Sequence, residues 1–180
     1  TALSENSEYL AVGANGYARV FKWSGDAYMK HQDIDQGGKQ EHDAVAMNAD
    51  GTIIVVGHKK DTDSTGKVIV YERRDDGVYA QHSALEGDSK GDEFGTGVAL
   101  SANGATLVVG AEQGGESVKL DGAAEGCNTS ISGNGHVIAV SAPQQDTGGA
   151  GYVKVYVREG AGCPAAPTEN DHAVTPIKSI

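Results

Sequence analysis

Cysteine is scarce in this chain, with only Cys127 and Cys163 in 180 residues. Neither sits in a Cys-x-x-Cys or Cys/His spacing, which excludes a zinc ribbon or a dithiol redox centre. Two readings of the pair stay open: one disulfide formed in an oxidising compartment, or two unpaired thiols. Proline is also scarce, at four residues. Basic residues are the minority charge, 14 Lys and Arg against 25 Asp and Glu, for a formal net charge of −11. Such a surface repels phosphate backbones, so nucleic acid is not an expected partner, whereas cations and basic macromolecules are compatible. No stretch approaches the roughly 18–20 consecutive apolar residues of a membrane span, so membrane insertion is not expected. The sequence opens on Thr1 rather than Met and shows no signal peptide. It therefore reads as the mature product of a secretory or organelle-targeted precursor, placed outside the cell or in a lumen.

Glycine, by contrast, is abundant at 26 residues, and with 38% hydrophobic and 22% charged residues the chain has the balance of a folded domain. Many glycines and few long apolar runs predict short strands joined by tight turns, an all-β architecture. Internal repetition carries most of the information. Residues 2–14, 45–57, 98–111 and 129–142 share one pattern: small and apolar residues, a polar turn, then an apolar run ending in Gly or Ser. Asp50-Gly51, Asn103-Gly104 and Asn134-Gly135 supply the positive φ that tight hairpins need. The second strands, 52–56 and 106–109, are continuously apolar rather than alternating, which means that both of their faces are covered.

A third strand follows each hairpin, at 17–23, 67–72, 117–120 and 152–157. Two units add a fourth at 27–34 and 78–85, where Tyr28 and Tyr79 are each followed by a histidine, His31 and His82. Four-stranded meanders covered on both faces are the blades of a β-propeller. The expectation is thus an array of about four antiparallel blades, either a four-bladed ring or part of a larger propeller. The units are 1–34, 35–87, 88–124 and 125–160, and residues 161–180 form a linker and extension that could complete the first blade. Equivalent positions Gly13, Gly57, Gly110 and Ser141 are spaced by 44, 53 and 31 residues, which makes the third blade truncated.

Asp92-Glu93-Phe94-Gly95 followed by Gly110-Ala111-Glu112, with Ser141-Ala142-Pro143 in the fourth unit, resembles the Phe-Gly and Gly-Ala-Pro signature of FG-GAP repeats, found in integrin α-subunit propellers. The resemblance spans residues 1–158 and implies a propeller whose loops contact partners in adhesion, recognition or matrix roles. Family members often hold calcium in a long turn between the first two strands. The matching turns 48–52 and 102–105 carry too few oxygens for that ion, which takes six to eight.

The candidate binding residues are the carboxylates Asp61 and Asp63 in one loop and Asp146 in the equivalent loop of the fourth unit. They could serve calcium, although solvated turns account for them as well. No other cofactor is expected. Asn128-Thr129-Ser130 is a glycosylation sequon, making Asn128 a candidate attachment site. His42 and Asp43 are adjacent and would point to opposite faces of a strand, and the sequence places no nucleophile beside them. The chain is accordingly expected not to be an enzyme. Two roles are expected instead: a binding or adhesion module recognising a protein or glycan, or a self-assembling structural subunit whose partner is an identical copy.

Overall fold

A computed structural model describes residues 1–14, 17–35, 44–60, 63–111, 123–125, 128–142, 152–158 and 174–177. Every regular element among them is a strand, as the glycine-rich, helix-poor pattern requires. The first sheet is an antiparallel meander of β1 (Ala2–Leu3), β2 (Tyr9–Ala14), β3 (Tyr17–Trp23) and β4 (Tyr28–Asp35). The second repeats it with β5 (Ala44–Met47), β6 (Ile53–His58), β7 (Lys67–Arg73) and β8 (Tyr79–Glu86). The third pairs β9 (Gly97–Leu100) with β10 (Leu107–Ala111), and β11 (Ala123–Glu125) adds to β10 in parallel. The fourth runs β12 (Asn128–Ile131), β13 (Val137–Ala142), β14 (Tyr152–Arg158) and β15 (Val174–Ile177), the last again parallel.

The four sheets stack in chain order, with three apolar cores between them. Tyr9, Ala11 and Val20 of the first sheet meet Ile54, Val56 and Tyr71 of the second. On the opposite face of the second sheet, Val55 and Val68 meet Val109 and Val98 of the third. Ala99 and Val108 then meet Ile138 and Val140 of the fourth. The run Ile54-Val55-Val56 is fully buried because its side chains alternate between two cores. That is the physical content of its non-alternating sequence.

The opening hairpins share a side-chain scaffold. Ser4, Ser101 and Ser132 accept hydrogen bonds through Oγ from the backbone N–H five residues on, at 2.9–3.0 Å, and each donates to the Asn two positions later. In the second sheet Asn48 takes the serine's place, its Oδ1 accepting from Ile53 N–H at 2.8 Å. The turns also bond to one another across sheets. Glu5 N–H donates to Ala49 O, Ala49 N–H to Ala102 O, and Ala102 N–H to Gly133 O, at 2.8–2.9 Å. Residues at one repeat position thus form a ladder running along the stack.

The Phe-Gly pair of the sequence motif joins the second sheet to the third. Phe94 packs on the core between them, and its backbone bridges Gly66 in parallel. Gly95, at φ +95°, donates to Gly110 O at 2.9 Å and lies so close to Gly57 that a Cβ on Gly57 would fall 2.0 Å from Gly95 O. Glycine at both positions is what permits the sheets to approach.

The third sheet carries no antiparallel outer strand among the described residues, and its predicted strand 117–120 lies outside them. The tail strand β15 pairs with β14 of the fourth sheet, so it does not complete the first. The two histidines His31 and His82 sit at β-bulges as residues without a partner on the neighbouring strand, and β4 holds a second such residue at Ile34. Their repetition marks a bend in the outer strands.

Candidate functional site

The bulges set the direction of both histidines. His31 points into the gap between the first two sheets, meets Tyr9 and Tyr79 edge-on at 5.9 and 6.2 Å, and bonds through Nε2 to Gly77 O at 2.9 Å. Arg73 closes the same junction, its guanidinium 4.5 Å from the Tyr9 ring centre and bonded to the Tyr9 hydroxyl at 3.0 Å. Tyr79 donates its hydroxyl to Gly51 O, and Gln32 exchanges two hydrogen bonds with the Tyr79 backbone. Burial pushes the Tyr79 phenol well above its ordinary value.

His82 occupies the equivalent bulge in the second sheet, where no outer strand of the third sheet meets it among the described residues. Its Nδ1 lies 3.2 Å from Glu72 Oε2, and both side chains are more than half exposed. Together with the β7–β8 turn they line an open groove of about 730 Å³ whose walls include Glu72, Arg73, Arg74, Asp75, Asp76 and His82. Cationic and anionic groups face one concavity, with an imidazole–carboxylate pair on one wall. Such a surface can orient a polar partner through several hydrogen bonds.

A second cluster is buried at the opposite end of the first junction. His58 at the end of β6 places Nε2 2.9 Å from Asp35 Oδ2, and the Tyr71 hydroxyl donates to the same oxygen at 3.4 Å. His58 is 1% exposed. Burial, with the Asp35 carboxylate adding to it, holds the Tyr71 phenol well above its ordinary value. The three side chains come from β4, β6 and β7, so they cross-link the first two sheets.

Of the residues singled out from the sequence, Asp63 is exposed at φ 59° and its carboxylate pairs with Lys90 Nζ at 3.2 Å. Asp61 and Asp146 lie outside the described residues, as do Cys127, Cys163, His42 and Asp43. Asn128 is exposed at the first position of β12. Among the described residues no group of three His, Cys, Asp or Glu is arranged to hold a metal ion. No helix among them is long and apolar enough to cross a membrane. Trp23 meets Tyr28 edge-to-face at 5.1 Å and is 43% exposed. Sequence reasoning passed over Glu72 and the Arg73 to Asp76 turn. The one signal it held was the recurrence of His at a fixed distance from Tyr.

The sheets and their order define an all-β protein of four stacked sheets, antiparallel except for the added strands β11 and β15. Neither protein-family models nor curated proteins gave a match, so the FG-GAP family is not identified by comparison. Among solved structures, the chain is similar to TolB from Acinetobacter baumannii, with a TM-score of 0.49 and 9% identity over 87% of this chain. It is also similar to a candidate 6-phosphogluconolactonase from Bacteroides uniformis, with a TM-score of 0.45 and 12% identity over 84% of this chain. The chain spans 37–40% of the length of these two proteins. The expectation that the chain is not an enzyme is withdrawn, since the second of these similar proteins carries an enzyme's name. Fold alone does not separate a catalyst from a binder.

Proposed function

We propose that the chain is an FG-GAP-type recognition module of a secreted or surface protein, which grips a protein or glycan partner with the turns of its propeller blades. The observation that supports this reading is the groove of about 730 Å³ beside the β7–β8 turn. Carboxylates, guanidinium groups and the Glu72–His82 pair converge there on an open concavity, and Ala80 adds a small apolar contact to its wall. Mixed donors and acceptors around a small apolar area suit a hydroxyl-rich or peptide surface better than a polyanion. The exposed sequon at Asn128 supports a secretory location.

Arrays of glycans and cell-surface ectodomains, probed with the labelled chain and with a Glu72→Gln/His82→Gln variant, test the proposal. A specific partner that the variant loses while keeping its melting temperature supports it. Binding unaffected by the double substitution, or no partner on either array, overturns it. A second reading, a self-assembling subunit of a matrix, shell or filament, is favoured by the exposure of Leu3 at 51% and Trp23 at 43% on the first sheet.

A further inference from the structure

Four sheets enclose three cores, which leaves two outer faces. In the first sheet the face toward the second carries Tyr9, Ala11, Ala18 and Val20. Strand alternation and the pairings Leu3↔Leu10↔Phe21 put Leu3, Leu10, Val12, Phe21 and Trp23 together on the face that points away. Leu3 and Trp23 there are half exposed, although both are large and apolar. The fourth sheet is built the same way. Ile138, Val140 and Tyr156 face the third sheet. Val137, Ala139, Val155 and Val157, paired as Val137↔Val157 and Ala139↔Val155, lie on the opposite face. Both end faces thus carry an apolar cluster, which on the first sheet lies beside the ion-paired side chains of Arg19, Lys30 and Asp33 on the same face.

The hydrogen-bond ladder of the turns ends at the same two places, and it has a direction. Each turn donates its N–H to the carbonyl of the next, from Glu5 through Ala49 and Ala102 to Gly133 O. Among the described residues Gly133 N–H donates to no backbone carbonyl, and Glu5 O accepts from no backbone N–H. One end is an unused donor beside an apolar face and the other an unused acceptor beside an apolar face. The two ends are complementary to each other, and neither is complementary to itself.

We infer that the outer face of the first sheet is an interaction surface for the outer face of the fourth sheet of a second copy of this chain, joined head to tail. In this contact Gly133 N–H donates to the partner's Glu5 O, and Val137, Val155 and Val157 pack against the partner's Leu3, Leu10 and Phe21. The junction repeats the geometry of the three inside the chain. Because it is heterologous, it forms a ring where the rotation closes and a filament where it does not. The inference rests on the self-assembly reading and gives that reading its surface.

The test is sedimentation of the 180-residue chain over a range of concentrations, together with two variants. Leu3→Asp/Trp23→Ser alters only half-exposed side chains of the first face, and Val157→Asp alters the fourth. Circular dichroism and melting temperature report whether each variant is folded. The wild type is expected at multiples of 18.5 kDa, and each variant at the mass of one chain. An equimolar mixture of the two variants is expected to regain a species of two copies, because each retains the face the other lacks. A wild type that stays monomeric at every concentration overturns both the inference and the self-assembly reading. Association that survives in folded Leu3→Asp/Trp23→Ser, or a mixture of the two folded variants that stays at one-chain mass, overturns this surface and leaves self-assembly through another. Should Val157→Asp not fold, the first variant decides alone.

Discussion

Tyr71 and Tyr79 show how single side chains tie the first two sheets to pH. Both phenols have an ordinary value of 10.0 and are raised above it in the folded chain, chiefly by burial. A raised value means that the folded state holds the proton more tightly than the unfolded state. The resulting stability is complete below pH ~10 and is lost as pH rises toward the folded-state values. Thermal unfolding followed by circular dichroism is therefore expected to show a falling melting temperature above about pH 10. A Tyr71→Phe/Tyr79→Phe variant should start less stable and lose less over the same range. Carboxylates act at the other end. Asp33, hydrogen-bonded by Arg19 and Lys30, and Asp50, hydrogen-bonded by Thr52, are both held below the usual 3.8. Their contribution is present above that value and fades as pH falls through the lower folded-state values.

Gly57 and Ser101 belong to elements rather than to themselves. A methyl group on Gly57 would enter the backbone of Gly95, where no flexible side chain can move aside. Gly57→Ala is expected to destabilise by several kcal/mol, well beyond the ~1 kcal/mol of an average substitution. A urea titration would read this as a lower midpoint, and an unchanged midpoint would show that the second and third sheets can part without cost. Ser101 is fully buried, and its Oγ accepts from Thr106 N–H while donating to Asn103. Ser101→Ala leaves that N–H without its side-chain acceptor and should cost about 1–3 kcal/mol in the same experiment. The equivalent Ser132, only partly buried, should cost less, because water can reach the lost bond.

At the scale of the whole molecule, a net charge of −11 opposes the meeting of two copies, while the Leu, Val and Phe side chains that would join them are apolar. Salt screens the first effect and leaves the second in place, since the Debye length falls from about 30 Å at 0.01 M to about 10 Å at 0.1 M. Head-to-tail association is thus expected to strengthen as sodium chloride is raised across that range, read as a rise in mean sedimenting mass. Weakening with salt would point to an ionic interface elsewhere on the surface. The groove beside the β7–β8 turn should respond in the opposite sense, because its contacts to a partner are largely charged.

The sequence by itself determined the all-β class, the four hairpins and the two-sided burial of the second strands in the second and third of them. All of these follow from local rules: glycine and asparagine at turns, and apolar runs at a spacing only strands can use. It also held the Phe94-Gly95 and Gly110-Ala111 signature, whose purpose in the fold is a close backbone approach between sheets. Only the tertiary structure decided where the groove lies. Glu72 and His82 are ten residues apart and meet because a bulge in β8 turns His82 toward β7. The sequence carries no separate mark for that bulge beyond a repeated histidine. The pairing of β15 with the fourth sheet and the direction of the turn ladder were likewise illegible, because both depend on contacts between segments far apart in the chain. Local chemistry fixes what each segment can be. Which faces are covered, and which remain open to a partner, depends on how the segments stack.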